Sequence, residues 1–392
     1  MNTSLKLMGT FFLFVYLLLN YYIGLRSLQA LRYFLPSLSG FLFWPLLLVL
    51  ALSYLADRIF RLNSSFLQLI GSFWLAFFFY LLVIYLAIDC AGFLISVLKA
   101  KPTLSQYWQN KLVYLLGLGL AAIIILCGTY WARSPHVAHY NLDIAKQPAG
   151  LENLKIVLIS DLHIEPHLNA DYLEKAAERI TALEPDLIMI AGDLVEGTID
   201  EPSAEKLSAV ITNLKAKYGI YACLGNHEYY GGQADEITEF LKNLGVVVLR
   251  DEIVSAIEDK VYIAGRNDYG ARHAIKEKRK PLTEILSGVD TAKPIILLDH
   301  QPQAVREAQE AGVDLMLSGH THGGQLFPAD LVTRSLFLID RGWWQENNFN
   351  LIVSTGLGYW GPPIRTSSRS EIVEIELNFT PNKAPSEINT KS

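Results

Sequence analysis

The chain has 392 residues, 51% hydrophobic and 18% charged, and a formal net charge of -6. No basic run of the kind that neutralises a nucleic-acid backbone is present, which excludes nucleic acid as an expected partner. The three cysteines, Cys90, Cys127 and Cys223, give no disulfide framework.

Composition changes near residue 133 and predicts four regions: a transmembrane region at 1–132, a linker at 133–150, a soluble domain at 151–380 and a flexible tail at 381–392. Crossing a bilayer takes roughly 20 mostly apolar residues, because the backbone must satisfy its own hydrogen bonds there. Residues 7–25, 38–56, 66–88 and 112–131 meet that requirement, separated by links carrying Arg26, Arg32, Arg58, Arg61, Lys99, Lys101 and Lys111. Lys6 before an apolar run is signal-like, but no small-residue cleavage pattern comes after it, so the first segment reads as a retained helix. Four spans make a multi-pass protein of the cell membrane with the N-terminus and the soluble domain on one side. The Lys/Arg bias between the faces is too small to decide which side, and leans toward the non-cytoplasmic one. Asp89 reads as a paired residue at a helix end in preference to an intramembrane functional group. The linker spans at most about 60 Å when fully extended, which keeps the soluble domain near the bilayer.

From residue 154 onward, short β-rich apolar runs alternate with helical patterns, the mark of a layered α/β domain whose sheets are buried on both faces. Strands are expected at 155–160, 187–192, 220–225, 261–265, 295–298 and 314–319, with helices at 170–183, 201–217, 234–244 and 301–311. Gly245 and Gly312 fit C-terminal caps. Five of the strands end in polar residues: Asp161 and His163, Asp193, Asn226 and His227, Asp299 and His300, His320 and His322. Open α/β sheets bind ligands beyond the carboxyl ends of their strands, so these residues are expected to share one crevice. Two Asp, one Asn and four His without a thiolate suit hard-to-borderline divalent metals. In a two-metal hydrolytic site the ions polarise phosphoryl oxygens and activate a bridging water for in-line attack.

In the order Asp161-Leu162-His163, Gly192-Asp193, Gly225-Asn226-His227-Glu228, His300, Gly319-His320-Thr321-His322, the sequence resembles the calcineurin-like metallophosphoesterase superfamily. Gly319 to Gln325, read Gly-His-Thr-His-Gly-Gly-Gln, is similar to the membrane-associated branch of bacterial YaeI- and YkuE-type phosphodiesterases; Gly356-Leu357-Gly358, Pro363, Arg365 and Glu371-Ile372 look like its closing segment. The four apolar stretches predict an α-helical transmembrane bundle, and the resemblance implies that a four-layer α/β/β/α metallophosphoesterase domain follows it. It implies that Asp161, His163 and His322 hold one divalent ion (Mn, Fe or Zn), that Asn226, His300 and His320 hold a second, and that Asp193 bridges them. His227 is then the acid that protonates the leaving oxygen, and the implied chemistry is attack by a metal-bridging hydroxide. Four spans depart from that branch, which often has a signal or a single anchor.

Any one histidine alone is more often a core or surface residue than a ligand, but five of the nine fall in this ordered set. Glu228 and Asp299 admit two readings, carboxylates that orient an imidazole or plain solvated residues. Arg365 is either a substrate-binding contact to phosphate or structural. Asn267 and Asp268 favour packing or loop capping. Trp343-Trp344 and Tyr359-Trp360 read by default as packing, with an apolar rim for a lipid as the alternative. The expected function is hydrolysis of a phosphodiester or pyrophosphate, on a small molecule or a lipid. The rival is a metal-binding membrane scaffold without turnover; degenerate relatives normally lose ligands, and none is lost here. Oligomeric state is not readable.

Overall fold

The computed structural model describes residues 3–60, 62, 64–98, 111–165, 170–274, 276, 278–380 and 389–391. Arg61, Lys99, Lys101 and most of the expected tail lie outside the described residues. The chain divides into two compact units, Met1–Thr129 with Gly361–Ile364, and Tyr130–Trp360 with Arg365–Ser392.

The first unit holds α1 (Thr3–Leu31), α2 (Gly40–Phe60), α3 (Ser65–Val97) and, as far as Thr129, α4 (Lys111–Arg133), each long and apolar enough to cross a membrane. They explain Asp89 as the paired residue the sequence suggested. Its Oδ2 accepts from the Tyr22 hydroxyl (2.6 Å) and from Arg26 Nη2 (2.8 Å), and its Oδ1 from the Tyr114 hydroxyl. A carboxylate in an apolar layer is costly unless paired, and here α1 and α4 supply the partners that its own segment lacks. Asp57 is handled likewise, accepting from Gln68 Nε2 and from the Ser64 N–H, both at 2.8 Å, where α2 passes into α3.

The second unit runs β1 (His136–Ile144), β2 (Asn153–Ile159), α5 (Ala170–Ala182), β3 (Leu187–Ala191), α6 (Glu201–Asn213), β4 (Ile220–Cys223), α7 (Asn226–Tyr230), α8 (Ala234–Asn243) and β5 (Val246–Val248). It continues with β6 (Glu252–Ala256), β7 (Val261–Gly265), α9 (Ala271–Ala274), α10 (Leu282–Ile285), β8 (Ile295–Leu298), α11 (Val305–Glu310), β9 (Leu315–Ser318), α12 (Asp330–Leu336), β10 (Gly342–Glu346), β11 (Phe349–Val353), β12 (Glu371–Phe379) and β13 (Asn389–Lys391). One sheet has the order β1-β12-β2-β3-β4-β5 and the other β13-β10-β11-β9-β8-β7-β6.

Because successive strand side chains point to opposite faces, the apolar runs serve two cores at once. In β2, Val157 and Ile159 pack with α5, α6 and α8, while Ile156 and Leu158 pack between the sheets. In β8, Ile296 and Leu298 face that central layer, while Ile295 and Leu297 face the layer containing Leu282 and Val305. Continuous Ile/Leu/Val runs are therefore the signature of strands covered on both sides, and the four layers result from them.

Two expectations are corrected. The stretch 133–150 is not simply a linker: residues 136–144 form β1, paired in parallel with β12 from His136 opposite Glu371 to Ile144 opposite Phe379. Its alternation was masked by polar residues on a half-buried edge. Within the tail expected to be flexible, Asn389–Lys391 pairs antiparallel with β10. The fourth expected helix, 301–311, begins only at Val305, because the chain after His300 is spent on a loop carrying Pro302, which disfavours helix before it.

Candidate metal centre

The sequence-expected residues lie where β2, β3, β4, β8 and β9 end. Asp161, His163 and His322 bring donor atoms within 4.8 Å of one another, as do Asp193, His300 and His320, and as do His163, Asp193 and His227. His163 Nε2 faces His322 Nε2 at 3.1 Å, and His300 Nε2 lies 3.1 Å from Asp193 Oδ2 and 3.2 Å from Asn226 Oδ1. His320 Nδ1 is 3.3 Å from His300 Nε2. Ring nitrogens and carboxylate oxygens converging in this way form a donor set that fits divalent cations.

The backbone is bent to achieve this. Asp161, His163, Asp193, His320 and His322 have φ of 52°, 45°, 53°, 72° and 50°, a left-handed region that non-glycine residues seldom occupy and that clusters at functional sites. Two glycines make room for the carboxylates: a Cβ on Gly225 would strike the Asp193 carboxylate, and one on Gly319 would strike that of Asp161. The freed backbone then holds them, since the His227 N–H donates to Asp193 Oδ1 (3.0 Å) and the His320 N–H donates to Asp161 Oδ1 (3.0 Å).

Electrostatics is set by burial against neighbours. Burial opposes charge on Asp193, yet His300, His163 and His227 hold its carboxyl well below the ordinary range. Burial pushes Asp161 up. Burial and His300 bring His320 down to about 3, and burial with Arg365 holds His322 well below its usual value, so both rings are neutral. Neutral imidazole is the form that ligates metals.

One carboxylate of the cluster escaped sequence reading. Glu196 Oε2 lies 2.8 Å from His163 Nδ1 and 2.9 Å from His227 Nδ1, joining a ligand-type ring to the expected acid. Burial lowers the affinity of His227 for its proton, but Glu196 and Asp193 outweigh it and raise its pKa to about 9. The available signal was position, three residues after Asp193 on the same strand-end loop. Glu228 and Asp299 orient no imidazole. Glu228 accepts backbone N–H groups of Asp193, Leu194, Val195 and Gly225, tying two loops together. Asp299 pairs with Arg279, and His300 Nδ1 instead meets the Ala191 carbonyl at 2.7 Å.

Arg365 is a correction. It is 0% exposed, so it has no face to offer a substrate phosphate. Its guanidinium donates to the carbonyls of Gly356 and Gly358 and to the Ser368 hydroxyl, and lies 3.1 Å from His322 Nδ1. Asp268 accepts from Gly270 N–H and Gln301 Nε2, which is loop capping. Of the aromatic pairs, Trp343, Trp344 and Tyr359 are buried, whereas Trp360 is 57% exposed with its ring 6.4 Å from that of His227.

A family model for calcineurin-like phosphoesterases matches residues 154–324. An uncharacterized metallophosphoesterase of Helicobacter pylori is 31% identical, over 93% of this chain and 97% of that one. A transmembrane protein with metallophosphoesterase domain from Danio rerio is 32% identical, over 67% of this chain and 62% of its own length. The UDP-2,3-diacylglucosamine pyrophosphatase LpxG of Chlamydia trachomatis is 27% identical, over 73% of this chain and 97% of that one.

Proposed function

We propose, from the premise that the chain belongs to the calcineurin-like phosphoesterase family, that it is a multi-pass enzyme of the cell membrane hydrolysing a phosphodiester or pyrophosphate, with a lipid-linked ester the favoured substrate. The observation that carries this reading is the convergence of six Asp and His donors, with Asn226 Oδ1 3.2 Å from His300 Nε2, beside a histidine held through Nδ1 by a carboxylate. In it Asp161, His163 and His322 hold one divalent ion, Asn226, His300 and His320 hold a second, and Asp193 serves both. Two such ions, when bound, supply charge for the phosphoryl oxygens and an activated water.

The chain's own residues do the rest. Glu196 fixes the tautomer of His163 by accepting from Nδ1, which leaves Nε2 free as a ligand atom. The same carboxylate keeps His227 protonated, so its Nε2–H can be delivered to the leaving oxygen. Trp360 and Tyr230, both exposed with their rings 6.4 and 5.9 Å from that of His227, offer an apolar rim for the organic group attached to that oxygen. Lipid linkage is supported by the four apolar helices and by the chlamydial relative, a diacylated sugar pyrophosphatase by name.

The test uses the whole chain in detergent and in liposomes, stripped of metal and resupplied with Mn, Zn or Fe. Metal-restored hydrolysis that is faster on a lipid-linked pyrophosphate than on a soluble diester is the expected result. Equal or better rates on soluble substrates would remove the lipid assignment, and absence of turnover with metal bound would remove the enzymatic one.

A further inference from the structure

Apolar side chains left in water are concentrated at one place in the second unit. Phe327, Leu331, Val332, Leu336 and Leu338 are 50–70% exposed. Among the described residues of that unit, Val247 is the one other exposed aliphatic or phenylalanine side chain. A single exposed apolar residue is ordinary, but five within one short segment mark a surface kept for a partner.

The segment is held firmly in the fold. In α12, Val332 and Leu336 lie four residues apart and share a face, while the part-buried Thr333 donates to Asp340 Oδ2 at 2.6 Å. Thr321, which stands between His320 and His322, donates to the Asp340 carbonyl, and the Phe337 ring lies 6.2 Å from that of His320. The Phe327 N–H donates to Thr366 Oγ1 at 2.8 Å, and the Gln325 side chain bonds the N–H and the carbonyl of Trp360. Trp360 is 57% exposed with its ring 6.4 Å from that of His227. Apolar surface therefore borders the metal-type cluster both at His320 and at His227.

Charge and connectivity choose the partner. Within residues 327–338 the only acid, Asp330, is buried, and the exposed charge is Arg334. Large apolar side chains with a cation and no exposed acid are the composition of a segment that lies in a lipid interface. The second unit also begins with Tyr130 and Trp131, both exposed and both in the last turn of the membrane-crossing helix α4. A bilayer is thus the apolar surface to which this unit is covalently joined, and tethering keeps its local concentration high. We propose that Phe327, Leu331, Val332, Leu336, Leu338 and Trp360 form a docking face that seats the second unit on the surface of the membrane its own chain crosses. Lipid seated there excludes water from the rim of the cluster. The docking needs no particular ester, so it stands or falls apart from the substrate assignment.

The test uses the whole chain in nanodiscs of phosphatidylcholine and phosphatidylglycerol. Leu336 is replaced by the photo-reactive p-benzoylphenylalanine in one preparation, and Glu239, an exposed residue of α8, in another. After illumination, lipid adducts counted by mass spectrometry should be about tenfold more abundant at 336 than at 239, the effect of seating one apolar side chain in lipid. With the probe at 338, adding Leu331→Asp and Leu336→Asp should cut lipid adducts about tenfold, since lipid rejects the new charges. Both leucines are exposed, so the fold is kept. Equal lipid adducts at 336 and 239, or adducts at 338 that survive the two aspartates, overturn the docking face. Adducts at 336 that join two copies of the chain in place of lipid also overturn it, and make the face a self-association surface.

Discussion

Replacing Glu196 by glutamine tests whether one carboxylate serves both a ligand ring and the acid. Its Oε2 lies 2.8 Å from His163 Nδ1 and 2.9 Å from His227 Nδ1, and a carboxylate accepts from both. Both rings meet the same oxygen, so a glutamine whose amide oxygen takes that place still accepts from both, and what the substitution removes is the negative charge. Both hydrogen bonds then run to a neutral acceptor, and His227 loses the charge that favours its imidazolium form. Hydrogen bonds to charged groups are worth roughly 1.5–3 kcal/mol each against about 0.5–1.5 kcal/mol for neutral ones, so weakening both costs about 2–3 kcal/mol, or ~30–150-fold in kcat/KM. The sign of the pH effect is fixed by His227. A general acid must be protonated, and a pKa raised to about 9 keeps the parent active up to that pH. Without the Glu196 charge the alkaline limb moves to lower pH, so the deficit is largest above neutrality. The assay compares aryl and alkyl phosphodiesters across pH at saturating metal, and the alkyl ester, with the poorer leaving group, should suffer more. A variant within about threefold of the parent on the alkyl ester, with its alkaline limb unmoved, would refute the reasoning.

Asp193→Ala should lose nearly all turnover together with metal content measured after dialysis; full metal retention with unchanged activity would refute a shared ligand. Gly225→Ala should behave similarly, because the added Cβ meets the Asp193 carboxylate, and a crystal structure of that variant with Asp193 undisplaced would contradict the packing argument. Arg365→Met removes the donor to the Gly356 and Gly358 carbonyls and should destabilise the fold by roughly 3 kcal/mol, read by thermal unfolding. Burial raises the Glu371 carboxyl from 4.5 to about 7, so its contribution is intact below pH 4.5 and falls as pH rises through 7. That amounts to about 3 kcal/mol at most. Glu371→Gln should flatten that decline, and parallel stability curves for parent and variant would show that the carboxyl titrates normally.

Legibility in the sequence tracked the physics of each element. The five strand ends were readable because a doubly covered strand is a short continuous apolar run, and a polar residue just beyond it has little reason to be there except function. Glu196 was not, because a glutamate three residues after a motif looks like any surface acid until the fold swings His227 onto it. Arg365 resembled a phosphate clamp in sequence, and only the closing of the 356–368 segment around it reveals a buried tie for His322. β1 was hidden because its partner, β12, lies more than 220 residues further along the chain, and a half-polar strand declares itself only through its neighbour.

The pairing of β1 with β12 also fixes where the protein can be cut. A soluble fragment starting at residue 150 would keep every donor residue and still strip the outermost strand, baring nine residues of β12 with unpaired N–H and C=O groups. An exposed sheet edge of that length is a template for adding another chain, so such a fragment would be prone to aggregate, and its inactivity would say nothing about catalysis. A fragment beginning at His136 keeps the edge closed.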